Sequence, residues 1–161
     1  MNDKINKILK IIAIVCGVIL IVELVYIGFF VEKKSLYFDG INAATTVDDE
    51  IITVGSNNNN EQHFEKAKIT KYNSKKEKKF EKLYNKGYNG AFFDVLVDDN
   101  DNLVAVGSYE ATKEETEKGI RTALIVKYDQ DGNILYEADF QLLGNSKYTN
   151  VVEVEDGYIV V

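Results

Sequence analysis

A duplicated strand pattern constrains this chain more than any other feature. ITKYN at Ile69 to Asn73 returns as IVKYD at Ile125 to Asp129, 56 positions later, and Gly55-Ser56 returns as Gly107-Ser108, 52 positions later. Each Gly-Ser closes an apolar run that follows an acidic turn, in TTVDDEIITVGS (Thr45 to Ser56) and VLVDDNDNLVAVGS (Val95 to Ser108). A third copy opens in VEVEDGYIVV, Val152 to Val161. The four-residue difference between the two spacings falls where YEATKEETEKGIR replaces NNNNEQHFEKA. Such a charged stretch reads as a solvated loop, with room for a short helical turn, because surface loops absorb length changes.

Within the second copy, ALIVKYDQDGNILYEADF (Ala123 to Phe140) places Asp131-Gly132 between two runs rich in β-branched and aromatic residues. An Asp-Gly so flanked predicts a tight hairpin, since both residues tolerate positive φ. Ile134, Tyr136, Ala138 and Phe140 alternate with Leu135, Glu137 and Asp139, which predicts a strand with one buried face. ALIV is apolar on both faces and predicts an inner strand covered on each side by a neighbouring sheet. Four strands per unit at a period of about 50 residues match propeller blades rather than helical solenoids. The expected fold is therefore all-β: an open propeller-like array of four-stranded antiparallel blades over residues 40–86 and 87–143, with an incomplete blade at 144–161.

Ahead of the repeats, Ile8 to Val31 form an apolar run of 24 residues broken only by Lys10 and Glu23. As a helix it would measure about 36 Å, enough to cross a hydrocarbon core of about 30 Å. It has no polar face, and it is too long and lacks the small-residue cleavage site of a signal peptide. The run therefore predicts one transmembrane α-helix at 8–31 with the lipid bilayer as its partner. A short cytoplasmic tail (1–7) would precede it and a junction (32–39) follow it. Lys4, Lys7 and Lys10 before the span against Lys33 and Lys34 after it tilt the N-terminus inward. The C-terminal part would then be extracytoplasmic at the cell membrane. Glu23 reads as protonated or snorkelling, Cys16 as a side chain within the span, and Ala13/Gly17 as a small-residue pair of low specificity.

From residue 32 onward the chain holds 16 basic against 24 acidic groups. That balance excludes nucleic acid as a general partner, because phosphate contacts need a basic surface. One cysteine and one histidine exclude a disulfide framework and a Cys/His zinc cluster. Asp129, Asp131 and Asn133 match the opening of a calcium loop, yet Ile134 and Phe140 stand where its glycine and glutamate belong. Asp98 to Asn102 fail in the same way. Both read as turns whose side chains accept backbone hydrogen bonds. His63, the only candidate base for a nucleophile, lies in the polar NNNNEQHF loop and reads as a surface residue. Lys75, Lys76, Lys78, Lys79 and Lys82, interrupted by Glu77 and Glu81, read as an exposed hairpin end. No catalytic, cofactor-binding or metal-binding residues and no cofactor are assigned.

GYNGAFFDVLVDDNDNLVAVGSY followed by ALIVKYDQDGNILYEADF resembles the repeat unit of bacterial extracytoplasmic β-propellers, with Phe80 and Tyr136 at the tryptophan-like position. The resemblance covers about residues 40–161. It implies a membrane-anchored binding or scaffold module for a protein or polysaccharide ligand, with self-association through open blade edges. The alternatives are an anchored envelope-polymer hydrolase whose catalytic residues lie on further blades, or a fragment without a role of its own. A closed propeller takes about four to eight blades. Two and a half therefore imply a longer protein or several chains sharing one ring.

Overall fold

The structure, a computed structural model, describes residues 40–57, 64–142 and 144–161. In them the alternating and doubly apolar runs become antiparallel strands. β1 (Ile41–Val47), β2 (Glu50–Asn57), β3 (Lys66–Tyr72) and β4 (Lys78–Leu83) form one sheet, paired in chain order. β5 (Asn89–Val97), β6 (Leu103–Glu110), β7 (Thr122–Tyr128) and β8 (Ile134–Phe140) form a second sheet in the same order. β9 (Val151–Val154) and β10 (Gly157–Val160) pair as a two-stranded hairpin.

The two large sheets pack face to face, and apolar side chains decide which faces meet. Ile52, Val54 and Ile69 of the first sheet close against Phe92, Leu103, Leu124 and Val126 of the second, all at 1% exposure or less. Burying each such side chain stabilises the fold by roughly 1.5–3 kcal/mol. On the other face of the second sheet, Val104, Val106 and Ile125 pack against Val151, Tyr158 and Val160 of the hairpin. Leu124 and Val126 thus face one neighbour and Ile125 the other, so the doubly apolar ALIV run is covered on both sides. Tyr128 lies in the first of these cores with its hydroxyl buried and unpartnered among the described residues. Tyr128→Phe is accordingly expected to leave the urea midpoint unchanged or raise stability by about 1 kcal/mol.

The repeated glycine has a steric cause. β1 is bulged between Ile41 and Ala43 against β2, and β5 between Phe92 and Asp94 against β6. At these bulges the partner strand's carbonyl lies over the glycine: a Cβ on Gly55 would sit 1.7 Å from the Gly40 oxygen, and one on Gly107 2.1 Å from the Ala91 oxygen. Only a residue without a side chain admits that approach.

Three expectations are corrected. Among the described residues the fold class is all-β with antiparallel sheets, none of them closed, and the expected membrane-spanning helix is not seen. Among the described residues no helix is long and apolar enough to cross a membrane. Residues 8–31, with Cys16, Glu23 and the Ala13/Gly17 pair, lie outside the described residues. The helix among the described residues, α1 (Lys113–Lys118), has six residues and buries none of them. It stands in the charged insertion, capped by Thr112 Oγ1, which accepts from the Glu115 amide at 3.1 Å, and closed by Gly119 at φ 66°.

Second, β8 lacks the buried face its alternation predicted: Ile134, Tyr136 and Phe140 are about half exposed. The two-stranded hairpin reaches β6 and β7 but leaves the outer strand bare. Third, the expected hairpin at Asp131-Gly132 forms, but through a turn longer than two residues. Tyr128 pairs with Ile134, and Asp129 Oδ1 accepts from the amides of Asp131 (2.9 Å) and Asn133 (2.8 Å), with only Gly132 of the turn at positive φ. The first sheet builds the same turn without glycine. Asn73 Oδ1 accepts from Lys75 (3.0 Å) and Glu77 (2.9 Å), and Lys76 takes the left-handed position at φ 63°. A side chain there costs about 1 kcal/mol. Lys76→Gly is therefore expected to raise stability by about that amount, read as an upward shift of the thermal midpoint.

Candidate functional site

Two features stand out: a polar cavity at the seam between the large sheets, and the bare outer side of β9–β10. The cavity, about 240 Å³, lies where β2 and β6 end and β5 begins. Glu65 is fixed at its wall by backbone contacts, its amide donating to Asn89 Oδ1 (2.9 Å) and its carbonyl accepting from Gly90 (2.7 Å). Ser56 Oγ donates to Glu65 Oε2 at 2.8 Å. Glu110, 5% exposed at its side chain, accepts from Asn89 Nδ2 at 2.9 Å and from Arg121 Nε at 3.0 Å.

Burial alone would push the Glu110 carboxyl up, but hydrogen bonds led by that from Asn89, with the Arg121 guanidinium beside it, outweigh this and hold it below the usual range. A carboxylate so held stays ionised at neutral pH. So held, it can orient a ligand through its two oxygens.

Lysines at equivalent repeat positions lock the sheets together. Lys71 of β3, 3% exposed, pairs with Glu50 at 2.6 Å and also donates to Gln130 of the second sheet's turn. Lys127 of β7 pairs with Asp98 at 2.7 Å and donates to Tyr158 Oη of β10 at 3.0 Å. Tyr158 in turn donates to Asp98 Oδ2 at 2.7 Å. Asp98 Oδ1 accepts from the amides of Asn100 (2.9 Å) and Asn102 (2.8 Å), so this aspartate serves its turn and a charge cluster at once. Sequence reading found the turn and missed the cluster. The available signal was a lysine inside an otherwise apolar strand, recurring in both copies.

The other weighed residues separate. Asp129 is occupied by its own turn, and the lysines from Lys75 to Lys82 are exposed on the β3–β4 hairpin. Phe80 is half-buried beneath the second sheet's turn, whereas Tyr136, its counterpart, is 57% exposed. His63 lies outside the described residues. Glu65, Asn89, Glu110 and Arg121 carried no sequence signal, because their convergence depends on how two sheet ends meet.

The second feature is apolar. Val152, Val154, Ile159 and Val161 expose 59, 41, 55 and 71% of their surface. The counterparts of Ile159 and Val161 in the second sheet, Val104 and Val106, are wholly covered. No protein-family model matches the sequence, and no curated protein matches it.

Proposed function

We infer that this chain is a binding or scaffold module of propeller-like blades. The observation that carries this reading is the bare side of β9–β10: Ile159 and Val161 stand open where Val104 and Val106 of the preceding sheet are covered, and apolar patches of this kind mark interaction sites. The cavity at the sheet seam offers a second, polar seat for a ligand such as a sugar unit. Placement outside the cytoplasm belongs to the same proposal and rests on the resemblance of the repeats.

The test is protein-observed NMR of the full chain against a panel of soluble oligosaccharides and of extended peptides. Saturable shift changes at the cavity residues or along β9–β10 are expected. The reading fails if neither class perturbs either region, or if a panel oligosaccharide is hydrolysed.

A further inference from the structure

The strand bulges account for the glycine of the repeated Gly-Ser pair but not for its serine. Ser56 and Ser108 both line the cavity at the sheet seam. Ser56 Oγ is occupied there by Glu65 Oε2 at 2.8 Å. Ser108 is 3% exposed, and its hydroxyl has no hydrogen-bond partner among the described residues. A buried hydroxyl is costly to leave unpaired, so one that opens on a polar cavity points to a bound group. The charges around it do not balance either. Arg121 bonds Glu110 through Nε at 3.0 Å, and Lys147 lies over the Phe93 ring, 5.8 Å from its centroid. Glu65 has only a neutral serine and, among the described residues, no cation within ion-pair distance. One carboxylate of the wall is left over.

On the reading of this chain as a binding module, on which the inference rests, we propose that the cavity seats one sugar ring bearing a free ammonium group. The ammonium of this amino sugar lies on the Glu65 carboxylate, and ring hydroxyls meet Ser108 and the Nη groups of Arg121. Glu110, held by Asn89 and Arg121, keeps the guanidinium in place.

Size, charge and hydrogen-bonding groups define this ligand. At about 240 Å³ the cavity lies below the roughly 300–1,000 Å³ of drug-sized sites, which suits one ring rather than a chain of them. Phe93 and Tyr109 give it an apolar wall for the C–H face of that ring. An ammonium supplies the charge that Glu65 lacks, and charge-assisted hydrogen bonds are roughly twice as strong as neutral ones. A lysine side chain would bring the same ammonium but leave Ser108 and the Arg121 Nη groups unpaired. Sites built to bond hydroxyls discriminate strongly against ligands that lack them. An acidic sugar would suit Arg121, yet it would add a third carboxylate beside Glu65 and Glu110.

The probes are glucosamine, glucose and butylamine, titrated into the full chain at about pH 6, below the ordinary amine range. Glucosamine is expected to shift the amides of Ser56, Gly90 and Ser108 saturably, with a Kd on the order of 1 mM. Glucose and butylamine should each bind the same amides about tenfold more weakly. Glu65→Gln, at an exposed side chain, should bring glucosamine down to the level of glucose and leave glucose unchanged. Ser108→Ala should weaken both sugars alike. This split separates recognition of the ammonium from a folding defect, which would weaken every probe in both variants. Equal binding of the two sugars by the parent chain, a preference for glucosamine that survives Glu65→Gln, or butylamine binding as tightly as glucosamine would each overturn the proposal. If neutral oligosaccharides bind at the cavity or peptides along β9–β10, the binding-module reading survives that loss; if no probe of any class binds, both fall.

Discussion

Gly107→Ala is expected to destabilise the fold severely. The added methyl carbon would lie 2.1 Å from the Ala91 oxygen and 2.8 Å from the Phe92 Cα, both backbone atoms that no rotamer change can move. The bulge in β5 would have to open, and Phe92, wholly buried beside it, would leave its place between the sheets. A loss of about 4 kcal/mol or more follows, against a total stability of about 5–15 kcal/mol for a typical domain. Gly119→Ala is the matched control. Nothing lies within 4 Å of its added carbon, and only its φ of 66° opposes a side chain, so a cost of about 1 kcal/mol is expected. Urea denaturation followed by far-ultraviolet circular dichroism distinguishes the two. A Gly107→Ala midpoint close to that of Gly119→Ala would refute the steric account of the repeated glycine.

The same glycine shows what a sequence alone makes legible here. Repetition exposes it twice, and alternation around it gives strand order and the faces of β6 and β7, since these follow from period-two geometry within one strand. The depth of burial of an outer strand does not follow. Ile134 and Phe140 have the same pattern whether or not a third sheet extends over them. Turn shape was also hidden. Asp-Gly predicted positive φ at both positions, whereas Asp129 nucleates a longer turn, and Lys76 holds the left-handed position where the repeat elsewhere uses glycine. The cavity was least legible of all. Glu65 and Glu110 line one cavity because Asn89 at the start of β5 bonds to both, and no spacing within either repeat encodes that arrangement.

Asp98 carries the other large effect, because it joins three elements. Its side chain is fully buried and receives the Lys127 ammonium, the Tyr158 hydroxyl and two turn amides. Asp98→Asn keeps the shape but turns an amide donor toward two other donors and leaves Lys127 without its counter-charge. Breaking one side of such a buried pair costs about 3–5 kcal/mol, and the 22% exposure of Lys127 places the expected loss near the lower end, about 3 kcal/mol. The hairpin β9–β10 should loosen first, since Tyr158 ties it to the second sheet; amide exchange at Val151 to Val160 reports this directly. Adding Lys127→Met should recover part of the loss, and simple additivity of the two changes would refute a coupled cluster.

Acid should act in the same direction. Burial alone would raise the Asp98 carboxyl, but the hydrogen bonds from Lys127, Tyr158 and Asn102 more than offset it and hold the group well below its ordinary 3.8. The unfolded chain therefore takes up the proton before the folded one. The contribution of Asp98 is fully present above about pH 4–5 and drains away as pH falls below the unfolded value toward the depressed folded one. The gap in urea midpoint between the parent chain and Asp98→Asn should accordingly be constant from neutral pH down to about pH 5 and shrink below it. A gap that stays constant below that point would show that Asp98 stabilises the junction through its shape and turn bonds rather than through its charge.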